Sequence, residues 1–203
     1  MTKHPDPNEF DRLLADLRAC AVCAAHLPGK PQPIFSVSPT ARLALISQAP
    51  GVRADKAGKP FADPSGVRLR QWMGVTEEEF YDPARLAITP MGFCFPGWDA
   101  KGGDLPPRRE CAPLWQKRIE AALPNIELSL LVGGYAQKFH LGARAKPSLT
   151  ETVAAWRDYL PRYLPLPHPS WRNNSWLRKH PWFEAEVLPE LRARVRRLLG
   201  PKG

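Results

Sequence analysis

Four short, nearly continuous apolar runs constrain this chain more than any other feature. They are Arg42–Gln48 (RLALISQ), Arg85–Thr89 (RLAIT), Leu128–Val132 (LSLLV) and the weaker Tyr163–Leu166. None alternates polar with apolar residues, as a half-exposed strand would, so they read as parallel strands covered on both faces. Helical patterns lie between them. Asp6–Ala25 carries Phe10, Leu13, Leu14 and Leu17 on one face, and Ser65–Met73, Arg108–Leu123, Tyr135–Leu141, Ser148–Tyr159 and Trp182–Leu199 follow. Ser148-Leu149-Thr150-Glu151 is a capping box that marks a helix start. Strands alternating with helices predict an α/β fold, a three-layer α/β/α sandwich around a central four-stranded parallel sheet. The 203 residues show no repeat and no linker-like stretch, which suits one domain over residues 1–203.

The 24 prolines among 203 residues are more than twice the ordinary share of ~5%. They stand singly or in pairs at segment ends, and so punctuate a folded chain and stiffen its loops. Ligands of such sheets sit beyond the carboxyl ends of the strands. At that edge the four runs lead into Gln48-Ala49-Pro50-Gly51, Pro90-Met91-Gly92, Gly133-Gly134 and His168-Pro169-Ser170. Four small-residue turns at one edge predict a site where a ligand approaches the backbone. The first run is not followed by G-x-G-x-x-G, which argues against a Rossmann-like nucleotide enzyme.

Charge narrows the partner. Lys and Arg total 29 against 20 Asp and Glu, a formal net charge of +9, which favours a polyanion. From Trp171 onward, Arg172, Arg178, Lys179, Arg192, Arg194, Arg196, Arg197 and Lys202 are interleaved with Trp171, Trp176 and Trp182. Basic side chains for phosphates with aromatics for stacking suit nucleic acid. The loop 171–180 is the better contact, and the four arginines at 192–197 read as a solvated helix face. No apolar run approaches the ~18 residues of a membrane span, and the polar start is no signal peptide. A cytoplasmic, monomeric protein with no membrane partner is expected. Four cysteines are too few for a disulfide scaffold. Cys20-x-x-Cys23 with Cys94 and Cys111 suits an iron–sulfur cluster or a zinc ion.

Ser47-Gln48-Ala49-Pro50-Gly51, then Asp55-Lys56-Ala57-Gly58-Lys59-Pro60-Phe61 and Ser65-Gly66, resembles the first motif of the uracil-DNA glycosylase superfamily. The likeness is closest to its family 4, and it extends over about residues 17 to 185. His168-Pro169-Ser170 resembles the second motif, and its continuation Trp171-Arg172-Asn173-Asn174 is similar to the H-P-S-x-R-N of single-strand-selective monofunctional uracil glycosylases. The cysteine layout is similar to that of the [4Fe–4S] cluster of family 4. The resemblance therefore implies such a cluster on Cys20, Cys23, Cys94 and Cys111, with loss of the cluster as the alternative.

The resemblance also implies an activity, hydrolysis of the N-glycosidic bond of uracil or another deaminated base in single- or double-stranded DNA. The alternative is a non-catalytic protein that binds damaged or uracil-containing DNA. By the same likeness His168 donates a hydrogen bond to the departing base and Phe61 stacks on it. Ala49, Pro50, Gly51, Pro90 and Met91 line the base pocket, and Ser170, Trp171, Arg172, Asn173, Asn174, Arg178 and Lys179 meet the DNA. Gln48 is expected in the catalytic set, its backbone amide and that of Ala49 adding donors. It stands where family 4 has Glu, which leaves Asp55 as the carboxylate expected to activate water, with Asp63 as the second. Pro90 stands where an Asn reads the uracil edge, and proline has no donor to offer. Met91 or the Gly92 amide is expected to substitute.

Overall fold

A computed structural model describes residues 7–200. Four parallel strands form one sheet: β1 (Leu43–Ile46), β2 (Leu86–Ile88), β3 (Leu128–Val132) and β4 (Tyr163–Leu166), in the order β2-β1-β3-β4. Leu43 sits between Leu86 on one neighbour and Leu128 on the other. Nearly every strand residue is buried, because the alternating side chains feed two cores. Leu43, Leu45, Leu86, Ile88, Leu130 and Leu164 enter one core, together with residues of α3 (Pro64–Met73) and α9 (Leu188–Leu199). Ala44, Ile46, Ala87 and Leu131 enter the other, against α1 (Pro7–Arg18) and α5 (Cys111–Ala122). The expected α/β fold with a four-stranded parallel sheet is thus present. Among the described residues no helix is long and apolar enough to cross a membrane.

Among the described residues five further α-helices are α2 (Val52–Ala57), α4 (Glu77–Tyr81), α6 (Gly134–Leu141), α7 (Leu149–Ala154) and α8 (Asn174–Lys179), beside short 3-10 turns and a π-helical segment, Phe183–Val187, that leads into α9. Several boundaries differ from the sequence reading. The first helix ends at Arg18, and the Cys20 amide makes a tighter bond to the Leu17 carbonyl, so both first cysteines lie in a turn. Its expected start, Asp6, is outside the described residues, as is Lys202. The helix expected over 148–159 starts at its capping box but breaks into a 3-10 turn at Trp156–Tyr159. The stretch read as a loop at 171–180 is a 3-10 turn, Trp171–Asn173, running into α8.

Two of the three tryptophans assigned to stacking belong to the core. Trp176 and Trp182 pack against Phe183, and the Trp176 indole N–H donates to Thr150 Oγ1 at 2.8 Å. The basic helix also works internally. Arg192 donates to the carbonyls of Trp72 and Gln71, and Arg196 to that of Gly74, so both cap the last turn of α3. Arg196 is also paired with the buried Glu79, and Arg194 with Glu190.

Candidate active site

The carboxyl ends of β1, β2 and β4 open into one cavity of about 300 Å³. Its walls include Gln48, Ala49, Pro50 and Gly51 from the β1 turn, Pro90 from the β2 turn, and His168, Ser170, Arg172 and Asn173 from beyond β4. Phe61, Asp63 and Asp104 complete it. Three of the four small-residue turns, from segments more than a hundred residues apart, are therefore brought together, whereas Gly133-Gly134 beyond β3 does not line the cavity and instead leads into α6.

His168 is held from both sides. Its Nδ1 accepts the Ser170 backbone N–H at 3.3 Å, and its carbonyl accepts Asn173 Nδ2 at 2.7 Å. The Ser170 carbonyl in turn accepts Arg68 at 3.1 Å. Burial pushes the imidazole below its usual value, against a smaller opposing pull from the Asp63 carboxylate. A neutral ring whose Nδ1 is an acceptor carries its proton on Nε2, which is left as the donor. The expected result of imidazole NMR is an Nε2–H tautomer titrating below 6.5. The unfolded chain binds that proton more readily, so this group removes stability as pH falls through 6.5 toward the folded value. An Nδ1–H tautomer, or a midpoint above 6.5, would refute the assignment.

Phe61 adopts φ +57°, a conformation rare for a bulky residue. Such outliers persist where the surroundings hold them and gather at ligand sites. Its ring meets Phe80 edge to face at 6.0 Å while lining the cavity. Its carbonyl oxygen lies where a side chain on Gly66 would begin, only 1.9 Å from an ideal Cβ, so position 66 admits only glycine. Asp63 caps α3, its Oδ1 accepting the Gly66 N–H at 3.0 Å.

Other expected site residues fall elsewhere. Met91 is buried in the core beneath the β2 turn and does not line the cavity. The amides of Met91 and Gly92 are both spent on the carbonyls of Ser47 and Gln48, because this turn continues the pairing of β2 with β1. Neither can replace the missing Asn. Pro90 does face the cavity, and its carbonyl accepts Gln116 Nε2 at 2.7 Å. Asp55 is not a wall of the cavity; it lies on α2, where its charge bears on Cys94 and burial raises its own carboxyl. Asp104, which the sequence reading did not single out, takes a place there instead. Trp171 is 70% exposed beside the mouth, where it and Arg172 join Arg53 and Arg68 along an adjoining groove. Asn174, Arg178 and Lys179 are exposed and line neither the cavity nor this groove.

Cys20, Cys23, Cys94 and Cys111 are all free and line one small second cavity, walled by Leu17, Leu27, Phe93 and Trp115. Burial pushes Cys94 up to about 11 and Cys111 up to about 12. The Phe93 amide donates to Cys111 Sγ at 3.4 Å. Two further donors at this cavity, Arg108 Nε and Trp115 Nε1, are buried without a partner among the described residues. Among those residues no three of His, Cys, Asp and Glu are grouped to hold a single metal ion.

A family model described as the uracil DNA glycosylase superfamily matches residues 35–192. The chain belongs to that superfamily. Among solved structures it is similar to a solution NMR structure from Methanosarcina acetivorans, described as a candidate uracil DNA glycosylase, at 12% identity and a TM-score of 0.48. That likeness covers 83% of this chain and 99% of the other; at this level it carries no argument about chemistry.

Proposed function

We propose that this protein is a monofunctional DNA glycosylase that hydrolyses the N-glycosidic bond of uracil or another deaminated base. The observation that carries this reading is His168, a neutral, fixed imidazole at the cavity wall with Nε2–H left to donate. An enzyme acting on a base must take it out of the stack and hold it in a pocket. As the glycosidic bond breaks, its electron pair goes to the base, and a donor already aimed there stabilises the developing anion. Phe61 supplies an aromatic wall for the base. Trp171, Arg172, Arg53 and Arg68 border the mouth, where a neighbouring base and the phosphates would lie. DNA is the partner of this reading, with the chain acting as a monomer.

The family 4 likeness is part of the proposal, and so is the H-P-S-x-R-N likeness. The four thiols at one cavity fit a [4Fe–4S] cluster, because Arg108 Nε and Trp115 Nε1 would find acceptors in its sulfides. Bound there, the cluster would tie the N-terminal turn to the segments around Cys94 and Cys111. Anaerobically purified protein should carry about four iron atoms per chain and lose them in Cys111→Ser. Stoichiometric zinc, or no metal at all, would overturn the assignment.

Release of free base from oligonucleotides carrying uracil, hypoxanthine or xanthine tests the reading. Pro90 at the base edge is the specific observation favouring the second reading, a protein that binds such DNA without turnover. Binding with no base released from any of the three would establish that alternative.

A further inference from the structure

We propose that Asp104, carried into the cavity by the hairpin 97–105, accepts the proton of the water that attacks the sugar. This rests on the glycosylase reading above. Two carboxylates line the cavity, Asp63 and Asp104. Asp63 is committed to the first turn of α3 through the Gly66 amide. The Asp104 carboxylate has no hydrogen bond and no ion pair among the described residues. Its Oδ2 lies against the β1 turn, 3.1 Å from where a Cβ on Gly51 would stand, so glycine there makes room for it. Gln48 and Ala49 give that turn no carboxylate of its own.

The hairpin that presents Asp104 is closed on itself. Trp98 and Asp104 form a β-bridge, the Leu105 amide donates to the Gly97 carbonyl at 2.9 Å, and the Asp99 amide donates to the Gly103 carbonyl at 2.7 Å. Asp99 Oδ1 accepts the amides of Lys101 and Gly103, both at 2.8 Å. The hairpin's base is seated on the site, with Pro107 packed over Gly92 close to Ala49. Burial raises the Asp104 carboxyl, and the Arg172 guanidinium opposes that shift, so the group is a stronger base than an exposed carboxylate.

The step balances within the cavity. The C1′–N bond breaks with its electron pair leaving on the base, beside the His168 donor. Water oxygen forms the new bond to C1′ and its proton passes to Asp104, while the released base takes a proton from solvent.

Single-turnover excision by Asp104→Asn tests this on the full chain with the base wild type releases best. The expected fall is at least about a hundredfold. The rise of excision with pH that tracks a carboxyl in wild type should flatten in this variant, and Asp104→Glu should restore part of the rate. DNA affinity should not weaken, since a negative charge is removed. A merely structural role would move none of the pH dependence. Undiminished excision by Asp104→Asn, or an unchanged pH profile, would overturn the role while leaving the glycosylase reading intact. Absence of wild-type excision on every base would remove both.

Discussion

His168→Ala is expected to lower base excision by about 10²–10³-fold while leaving DNA affinity almost unchanged. The asymmetry follows from when the interaction exists. Nε2–H meets a base whose charge develops only as the glycosidic bond breaks, whereas affinity is dominated by phosphates held outside the cavity. Ser170 and Asn173 keep the imidazole oriented before substrate arrives, so no reorganisation is needed at the moment of reaction. Single-turnover rates and a binding titration on the same oligonucleotide give both quantities. Undiminished excision by the variant would remove the mechanism, and a parallel loss of affinity would reassign His168 to binding.

The second large effect is on stability. Gly66→Ala should cost about 3 kcal/mol or more, beyond the usual range for one added methyl in a packed interior. The new Cβ would start 1.9 Å from a backbone oxygen, Phe61 O, which cannot rotate away as a side-chain end can. For a chain of this size the melting temperature should fall by roughly 10 °C. Because relief requires moving Phe61, excision should suffer in whatever folded protein remains. A melting temperature equal to wild type would show that the 61–66 turn is more yielding than its geometry implies.

The sheet was legible in the sequence because strands buried on both faces need uninterrupted apolar runs, and only such runs survive without context. Of the small helices, α6 and the start of α7 were legible, and α2, α4 and α8 were not. Val52–Ala57 is too short and polar to show a period, although Thr76 and Glu79 formed a capping box as clear as that of Ser148 and Glu151. The site was legible at three of the turns that follow a strand, where Gln48–Gly51, Pro90 and His168 reach the cavity, but Gly133-Gly134 and Met91, equally close to strand ends, do not. It failed where placement depends on a longer excursion. Asp55 follows the same turn as Gly51, yet one turn of α2 carries it out of the cavity wall. Asp104 enters only because a hairpin folds back, and the Gly102-Gly103 pair before it was the one local sign of that reversal. Trp176 and Trp182 look like stacking residues among basic neighbours, and only packing against Phe183 identifies them as core.

The hairpin 97–105 also separates two kinds of evolutionary freedom. The cavity floor is made by the turns that directly follow the strands, whose own residues feed two cores. One wall, by contrast, belongs to a loop whose tip, Asp99 to Gly103, satisfies its own backbone without help from the sheet. Lengthening, shortening or exchanging such a tip leaves the scaffold's packing untouched. A change of substrate range in this fold is thus open through the five residues of that tip, with Asp104 and the hairpin's base kept in place.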